Sequence, residues 1–384
     1  MEINSNSYGI GVDIGTSTIG MALVHIEEKK IIGETGFLNP QKQHGSDVAA
    51  RIRYGSDVEG ARHLGQLIKK ELLVGVGQLL KDVQYQIKEI VISANTAMEY
   101  LFMERTTETL GAYPFHMENV GYRKLAFQEV FESFLDDEEV ANVIPYVKDS
   151  SIILLPCIST FVGGDITSGL YHLQFPKTEG CHLLLDLGTN GEMAISGKKG
   201  FYCTSVPAGP AFEASLRGQG RKGTALIEWM AMARCRGQIM ADGAIARRYE
   251  ETGIPLEENL VLTQKVLRKI QLAKGALMAG IELLMKQYEA SSEEIQKVYL
   301  AGSFGFHLDV KSATLLGMLP ANFQGKIEVV GNTSLKGAID CLCDPTSKDK
   351  MEQIIQEVQP FNLAETDEFR ELFLERMKFM TIRI

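Results

Sequence analysis

The sequence contains no paired cysteine motif. Its six cysteines, at positions 157, 181, 203, 235, 341 and 343, include no C-x-x-C spacing. An iron–sulfur cluster needs about four converging thiolates, and zinc sites show comparable pairing. The thiols therefore read as buried or incidental, and no iron–sulfur cluster is expected in this chain. Histidine is also sparse. His25, His44, His63, His116, His172, His182 and His307 show no ligand-set spacing, so no transition-metal site is expected. Positive charge is in deficit: 39 Lys and Arg against 49 Asp and Glu leave a net charge of -10. That argues against a large nucleic-acid footprint. Long apolar runs are missing as well. Ile152–Ile158 is far short of the roughly 20 residues of a membrane span. Neither a basic leader nor an apolar signal core precedes Tyr8, so a cytoplasmic location is the expectation.

What is present is an ordinary globular composition, with 45% hydrophobic and 23% charged residues over 384 positions. Single cores stop growing at about 250–300 residues, so two or three lobes are expected. Tyr8–Thr18, Ile19–Ile26 and Ile31–Leu38 read as an antiparallel meander joined by tight turns. Val58–Leu80 carries apolar residues at helical spacing, weakened by Gly75 and Gly77. Ile87–Ser93 reads as a strand, with Asn95 capping the helix that follows. Ser151–Ile158, the Gly163-Gly164-Asp165 turn and a helix to about Leu173 form a second strand–helix unit. Thr224–Arg236, Val261–Gln287 and Leu363–Met380 read as helices, and Lys297–Leu300 as a strand breaking at Gly302. The lobes are expected at 1–155, 156–345 and, as a helical segment, 346–384.

An internal repeat is the most informative feature. Asp13-Ile-Gly15-Thr16-Ser17 at the end of the first strand returns as Asp186-Leu-Gly188-Thr189-Asn190-Gly191. A strand that ends this way and turns back presents backbone N–H groups and hydroxyls at one point, which suits phosphate oxygens. The aspartate at the strand end suits Mg²⁺, directly or through water, because hard cations take oxygen ligands. One Asp-x-Gly turn is common punctuation; two at domain-scale separation point to a nucleotide clamp in a duplicated fold. Val298–Gly305 is a strand running into a glycine turn, able to pass its backbone along a flat ring, although taken alone it is only a strand–turn. Gln271 and Lys274 share one helix face, and taken alone they read as a solvated face.

The order of hairpin, hairpin, helix and glycine turn resembles the superfamily of acetate kinase, sugar kinases, heat-shock chaperones and actin. The resemblance implies an α/β, duplicated actin-like or ribonuclease-H-like two-lobed ATPase fold with mixed sheets and an interlobe nucleotide cleft. It implies that Gly302-Ser303-Phe304-Gly305 is the adenosine motif, and that Gln271 and Lys274 contact ribose. Further blocks narrow it: Leu38-Asn-Pro-Gln41, Gly45-x-Asp47-Val-x-x-Arg51, Ser93-x-Asn95-Thr96-x-Met98, Leu155-Pro-x-Ile, Phe161-Val-Gly163-x-Asp165, Ala208-Gly209-Pro210-Ala211-Phe212-Glu213 and Gly331-Asn332. Together these resemble the reductive activators of corrinoid-dependent enzymes, from about Tyr8 onward.

That resemblance implies an ATPase, with ATP and Mg²⁺ as cofactors, that couples nucleotide state to the return of a Co(II) corrinoid protein to Co(I). The client would be the corrinoid protein of a methyltransferase system. The usual family layout opens with a ferredoxin-like domain, and this sequence starts at the ATPase fold, so a separate ferredoxin-type donor is expected. Monomer and homodimer are both open. Asp13 and Asp186 are the expected catalytic and Mg²⁺-positioning residues. Gly15, Thr16, Ser17, Gly188, Thr189, Asn190 and Gly191 would hold phosphate. Gly209 and Glu213 take nucleotide-proximal places from the resemblance, with a helix N-terminal charge partner as the alternative for Glu213. Asp165 reads as a helix cap or as a second carboxylate of the Mg²⁺ shell, and Glu192 as a surface strand residue. Two rivals stand beside this reading: a small-molecule kinase on the same fold, and a nucleotide-gated scaffold.

Overall fold

The computed structural model describes residues 7–81, 83–118, 121–175, 180–207, 223–257, 260–363 and 366–379. The chain divides into two compact units, Met1–Phe175 with Thr333–Val358, and Pro176–Asn332 with Gln359–Ile384. The first boundary falls at 175/176 rather than 155/156. The 346–384 segment is shared between the units instead of forming a third. The cause lies in the Thr333–Leu342 helix, which returns to the first unit, where Ser168 Oγ donates to the Ser334 carbonyl at 2.7 Å.

The first unit is built on a six-stranded mixed sheet. β1 (Tyr8–Ile14), β2 (Thr18–His25) and β3 (Lys30–Leu38) form the antiparallel meander. β4 (Ile87–Ala94), β5 (Arg123–Ala126) and β6 (Ser151–Leu154) complete the order β3-β2-β1-β4-β6-β5, with β4 parallel to β1. Successive side chains on a strand face opposite ways. On β2, Ile19, Met21 and Leu23 enter one core, while Ala22 and Val24 enter the core on the other face. Both faces are therefore covered. The Val58–Leu79 helix runs unbroken through Gly75. A Cβ there would sit 2.5 Å from Met21 Sδ, so the glycine lets helix and sheet approach closely. β6 ends at Leu154, short of the expected Ile158, and Pro156 just beyond has no N–H to offer a ladder.

The second unit repeats the plan. β7 (Cys181–Leu187), β8 (Gly191–Gly197) and β9 (Gly200–Val206) form a meander. β10 (Ile254–Glu257) and β11 (Leu260–Leu262) make a separate ribbon. β12 (Ile295–Ala301), β13 (Ile327–Gly331) and β14 (Val358–Pro360) give the sheet order β13-β12-β7-β8-β9-β14. β12 lies parallel to β7, just as β4 lies parallel to β1. The expected long helix from Val261 begins instead at Gln264. Thr263 caps it, accepting from the Val266 N–H, and the residues before it pair as β11. Its buried face joins a single apolar core with β7, β8 and β12. The final helix is Asp367–Arg376. Among the described residues, no helix is long and apolar enough to cross a membrane.

Candidate functional site

In the first unit the β1–β2 turn is closed by Gly15 N–H donating to the Thr18 carbonyl at 3.0 Å. Asn39, just after β3, fixes it from the side. Its Nδ2 donates to the Gly15 carbonyl at 2.8 Å, and its N–H to the Ser17 carbonyl at 3.0 Å. Asn95 at the end of β4 donates to Thr16 Oγ1 at 3.2 Å while capping its own helix through Met98 N–H. Two asparagines from different strands thus hold the hairpin's backbone and hydroxyl in place.

Asp13 stands at the C-terminal end of β1, opposite Ser93 on β4. Its Oδ1 accepts from Ser334 Oγ at 2.7 Å. Ser334 Oγ in turn lies 2.8 Å from Ser93 Oγ, which reaches the Gly164 carbonyl at 3.2 Å. Asp165 sits one residue inside the Gly164–His172 helix, with Gly163 at the cap position. Its carboxylate accepts from Ile166 N–H at 2.9 Å. Burial, reinforced by the charge of Asp13, pushes its pKa up to about 7. Two oxygen-donor carboxylates whose charges oppose each other, beside a turn of N–H groups and hydroxyls, fit a hard divalent cation with phosphate.

In the second unit, Gly188 N–H donates to the Asn190 carbonyl at 2.9 Å and closes the β7–β8 turn. Asp186 stands opposite Glu192 on β8 and Ala301 on β12. Glu192 is buried, against the expectation of a surface residue, because β8 lies inside the sheet. Gly302 follows β12 at φ +83, and a Cβ there would stand 2.4 Å from both Asp186 Oδ1 and the Leu187 carbonyl. Only glycine lets this turn lie against Asp186. Ser303 is exposed, and Phe304 is buried in the unit's core.

Gln271 and Lys274 are not on a solvated face. Both are buried: Gln271 Nε2 donates to the Asp242 and Met377 carbonyls at 3.1 and 3.0 Å, and Lys274 Nζ donates to the carbonyls of Arg376 and Lys378. Burial lowers the Lys274 pKa to about 8. In this structure the pair anchors the segment after the last helix. Gly209 and Glu213 lie outside the described residues. Sequence reasoning missed Ser334 as the partner of Asp13, Ser93 as the strand neighbour that Ser334 also reaches, and Glu192 as the residue facing Asp186. Strand alternation around β8 was the available signal for the last.

A second buried carboxylate, Glu99, accepts from Cys157 Sγ at 3.2 Å and pairs with Arg123 at 2.5 Å. Burial pushes Glu99 up to about 7 and raises the Cys157 thiol. Cys203 and Cys341 are also buried, and Cys235 is exposed.

Comparison with known proteins agrees with this layout. Residues 8–178 match the family described as the RACo middle region, and residues 180–226 and 217–384 match the C-terminal domain of RACo, the ASKHA domain. The corrinoid activation enzyme RamQ of Eubacterium limosum is 26% identical over 86% of this chain and 63% of its own length. A reductase of the Co(II) methylated amine-specific corrinoid protein from Methanosarcina barkeri is 21% identical over 97% of this chain and 77% of its own. The solved structure of a reductive activator for a corrinoid, iron–sulfur protein superposes with a TM-score of 0.84 at 25% identity, covering 98% of this chain and 67% of that one. The chain thus spans a little under two thirds of RamQ. Two meander-plus-parallel-strand units, each with an aspartate at its first hairpin, have the ASKHA plan, and the chain belongs to the RACo family through its middle region and C-terminal ASKHA domain.

Proposed function

We propose that this chain binds ATP with Mg²⁺ through its two Asp-x-Gly-Thr hairpins and uses the nucleotide state to drive reductive activation of a corrinoid protein. The observation that carries the reading is the repeated register. Asp13 and Asp186 end equivalent strands, each beside a closed hairpin and a parallel neighbour. The Gly15–Ser17 and Gly188–Gly191 turns supply N–H and hydroxyl donors to phosphate oxygens. Asp13, held by Ser334, and Asp186, pressed by the Gly302 turn, take part in holding Mg²⁺ directly or through water. When bound, Mg²⁺ neutralises charge developing on the transferred phosphoryl group. Asp165, the buried carboxylate whose pKa burial and the Asp13 charge raise in the metal-free chain, is the group in the first unit that would accept a proton.

The client step is a one-electron reduction of Co(II) to Co(I), with the electron leaving a low-potential ferredoxin-type donor that is oxidised in turn. A nucleotide-driven change shifts the client only through contacts that differ between two states of the activator. The same Asp165 favours a second reading, a small-molecule kinase whose acceptor hydroxyl is deprotonated there. The test is a titration of Co(II) corrinoid protein followed by its absorbance, with ATP and donor each omitted in turn. Co(I) appearing only with both present supports the activator. ATP consumption with a small hydroxylated acceptor, and no response to corrinoid protein, favours the kinase. Calorimetry showing no ATP or ADP binding with Mg²⁺ present ends both readings.

A further inference from the structure

On the first unit, His44 Nε2 and His63 Nε2 stand 3.2 Å apart. His44 follows the short Pro40–Gln43 turn, and His63 lies on the Val58–Leu79 helix. The ring planes cross at 89° with centroids 4.7 Å apart. A head-to-head N–H···N bond would separate the centroids by 3.2 Å plus both centroid-to-nitrogen lengths, which exceeds 4.7 Å. The two ring axes are therefore not collinear, so a hydrogen bond joining these nitrogens in the metal-free chain is bent. A divalent transition ion imposes a different geometry. With metal–nitrogen bonds of about 2.0–2.1 Å at angles between square and tetrahedral, two imidazole nitrogens fall roughly 3–3.4 Å apart.

We propose that His44 and His63 form a two-histidine site for a divalent transition-metal ion of the zinc class, with water in the remaining positions. Among the described residues no group of three or more His, Cys, Asp or Glu could hold a metal, so of these residues the two imidazoles are the ligands. The site opens beside a cleft of ≈ 550 Å³ lined by Tyr54, Asp57, Glu59, Arg62, His63 and Gln66. His63 is exposed, which gives an ion access. Tyr54 walls the pair, its ring 4.7 Å from His44.

The pair is also preorganised. Gln41 Nε2 donates to the Leu64 carbonyl at 3.0 Å, pinning the His44 turn to the helix one residue beyond His63. Arg51 donates to the Gly45 carbonyl and to Gln41 Oε1, holding the other side of the turn. Little ordering remains to be paid on binding. The histidines are 19 positions apart, on separate elements, which is why spacing gave no sign of them.

The experiment is calorimetric titration of ZnCl₂ into the untagged full chain near neutral pH, paired with thermal unfolding. One zinc per chain is expected, with a raised midpoint because the ion binds the folded state. His63→Gln and His44→Gln should each weaken binding by more than about tenfold, with unchanged circular dichroism. His63 is exposed, so His63→Gln alone decides if His44→Gln does not fold. Absence of zinc binding by the wild type overturns the proposal. So does equal binding by His63→Gln, which would place the ion elsewhere.

Discussion

Ser334 donates a 2.7 Å hydrogen bond to Asp13 Oδ1 from 321 positions further along the chain. The bond ties the first hairpin's aspartate to the Thr333–Leu342 helix, which comes back to the first unit after the second has been traversed. Asp13 is thereby oriented by a residue outside its own strand–turn unit.

Ser334→Ala should cost about 1.5–3 kcal/mol of stability, the range for hydrogen bonds to charged groups. Ser334 is nearly buried, so water does not readily replace its hydroxyl. Urea unfolding of the nucleotide-free chain measures the loss. A change below about 0.5 kcal/mol would mean that Asp13 is held by other contacts.

Asp165 gives a pH dependence of defined sign. Its value of about 7 stands above the ~3.9 of an unperturbed aspartate. Between those values the folded chain keeps a proton that the unfolded chain has released. Stability of the nucleotide-free chain therefore falls as pH rises from about 4 through about 7. Glu99, raised to about 7 by burial, adds a slope of the same sign. Asp165→Asn should remove its share, raising the urea midpoint more at pH 8 than at pH 5. Equal gains at both pH values would contradict the raised value.

Gly302→Ala tests the second hairpin. The substitution pays for positive φ, about 1–2 kcal/mol, and its Cβ would also meet Asp186 Oδ1 and the Leu187 carbonyl at 2.4 Å. Gly325, at φ +82 with nothing within 4 Å of a built Cβ, is the matched control. Gly302→Ala should destabilise more than Gly325→Ala and weaken Mg²⁺-ATP binding, which Gly325→Ala should leave alone. Equal effects on stability and binding would show that Asp186 tolerates the intrusion.

Much of this arrangement was legible because it is local. Asp-x-Gly-Thr writes strand, turn and return strand within a few residues, so both hairpins and the duplicated plan could be read directly. Ser334 could not, since its meeting with Asp13 depends on how a distant helix packs, and Ser93 could not, since its place opposite Asp13 depends on the β1–β4 register. Glu192 looked like a surface strand residue because its polarity said nothing about β9 covering the outer edge of β8. Gln271 and Lys274 kept helical spacing, but their partners are backbone carbonyls near the C-terminus, which carry no side-chain signature. The start of the Gln264–Gln287 helix was misplaced because β-branched and apolar residues before Thr263 pair as a ribbon instead.

The last prediction joins the two hairpins to the client. If ATP favours the state of the chain that binds a Co(II) corrinoid protein, that protein must tighten ATP binding by the same factor. Couplings of this kind typically amount to about 1–3 kcal/mol, or roughly 5–150-fold in affinity. Reciprocity covers affinity and not turnover, so the decisive measurement is the ATP dissociation constant with and without saturating corrinoid protein. Asp186→Ala sharpens the test. It removes a strand-end carboxylate without emptying the apolar core, so the fold should persist while hydrolysis is lost. Wild-type chain should show the shift in both directions of titration. To the extent that Asp186→Ala also loses Mg²⁺-ATP binding, ATP should no longer change its affinity for the corrinoid protein, and a variant that still binds ATP should keep the shift. A corrinoid protein that binds tightly yet leaves ATP affinity unchanged would separate the two sites, leaving an ATPase fold with no nucleotide-coupled role in activation.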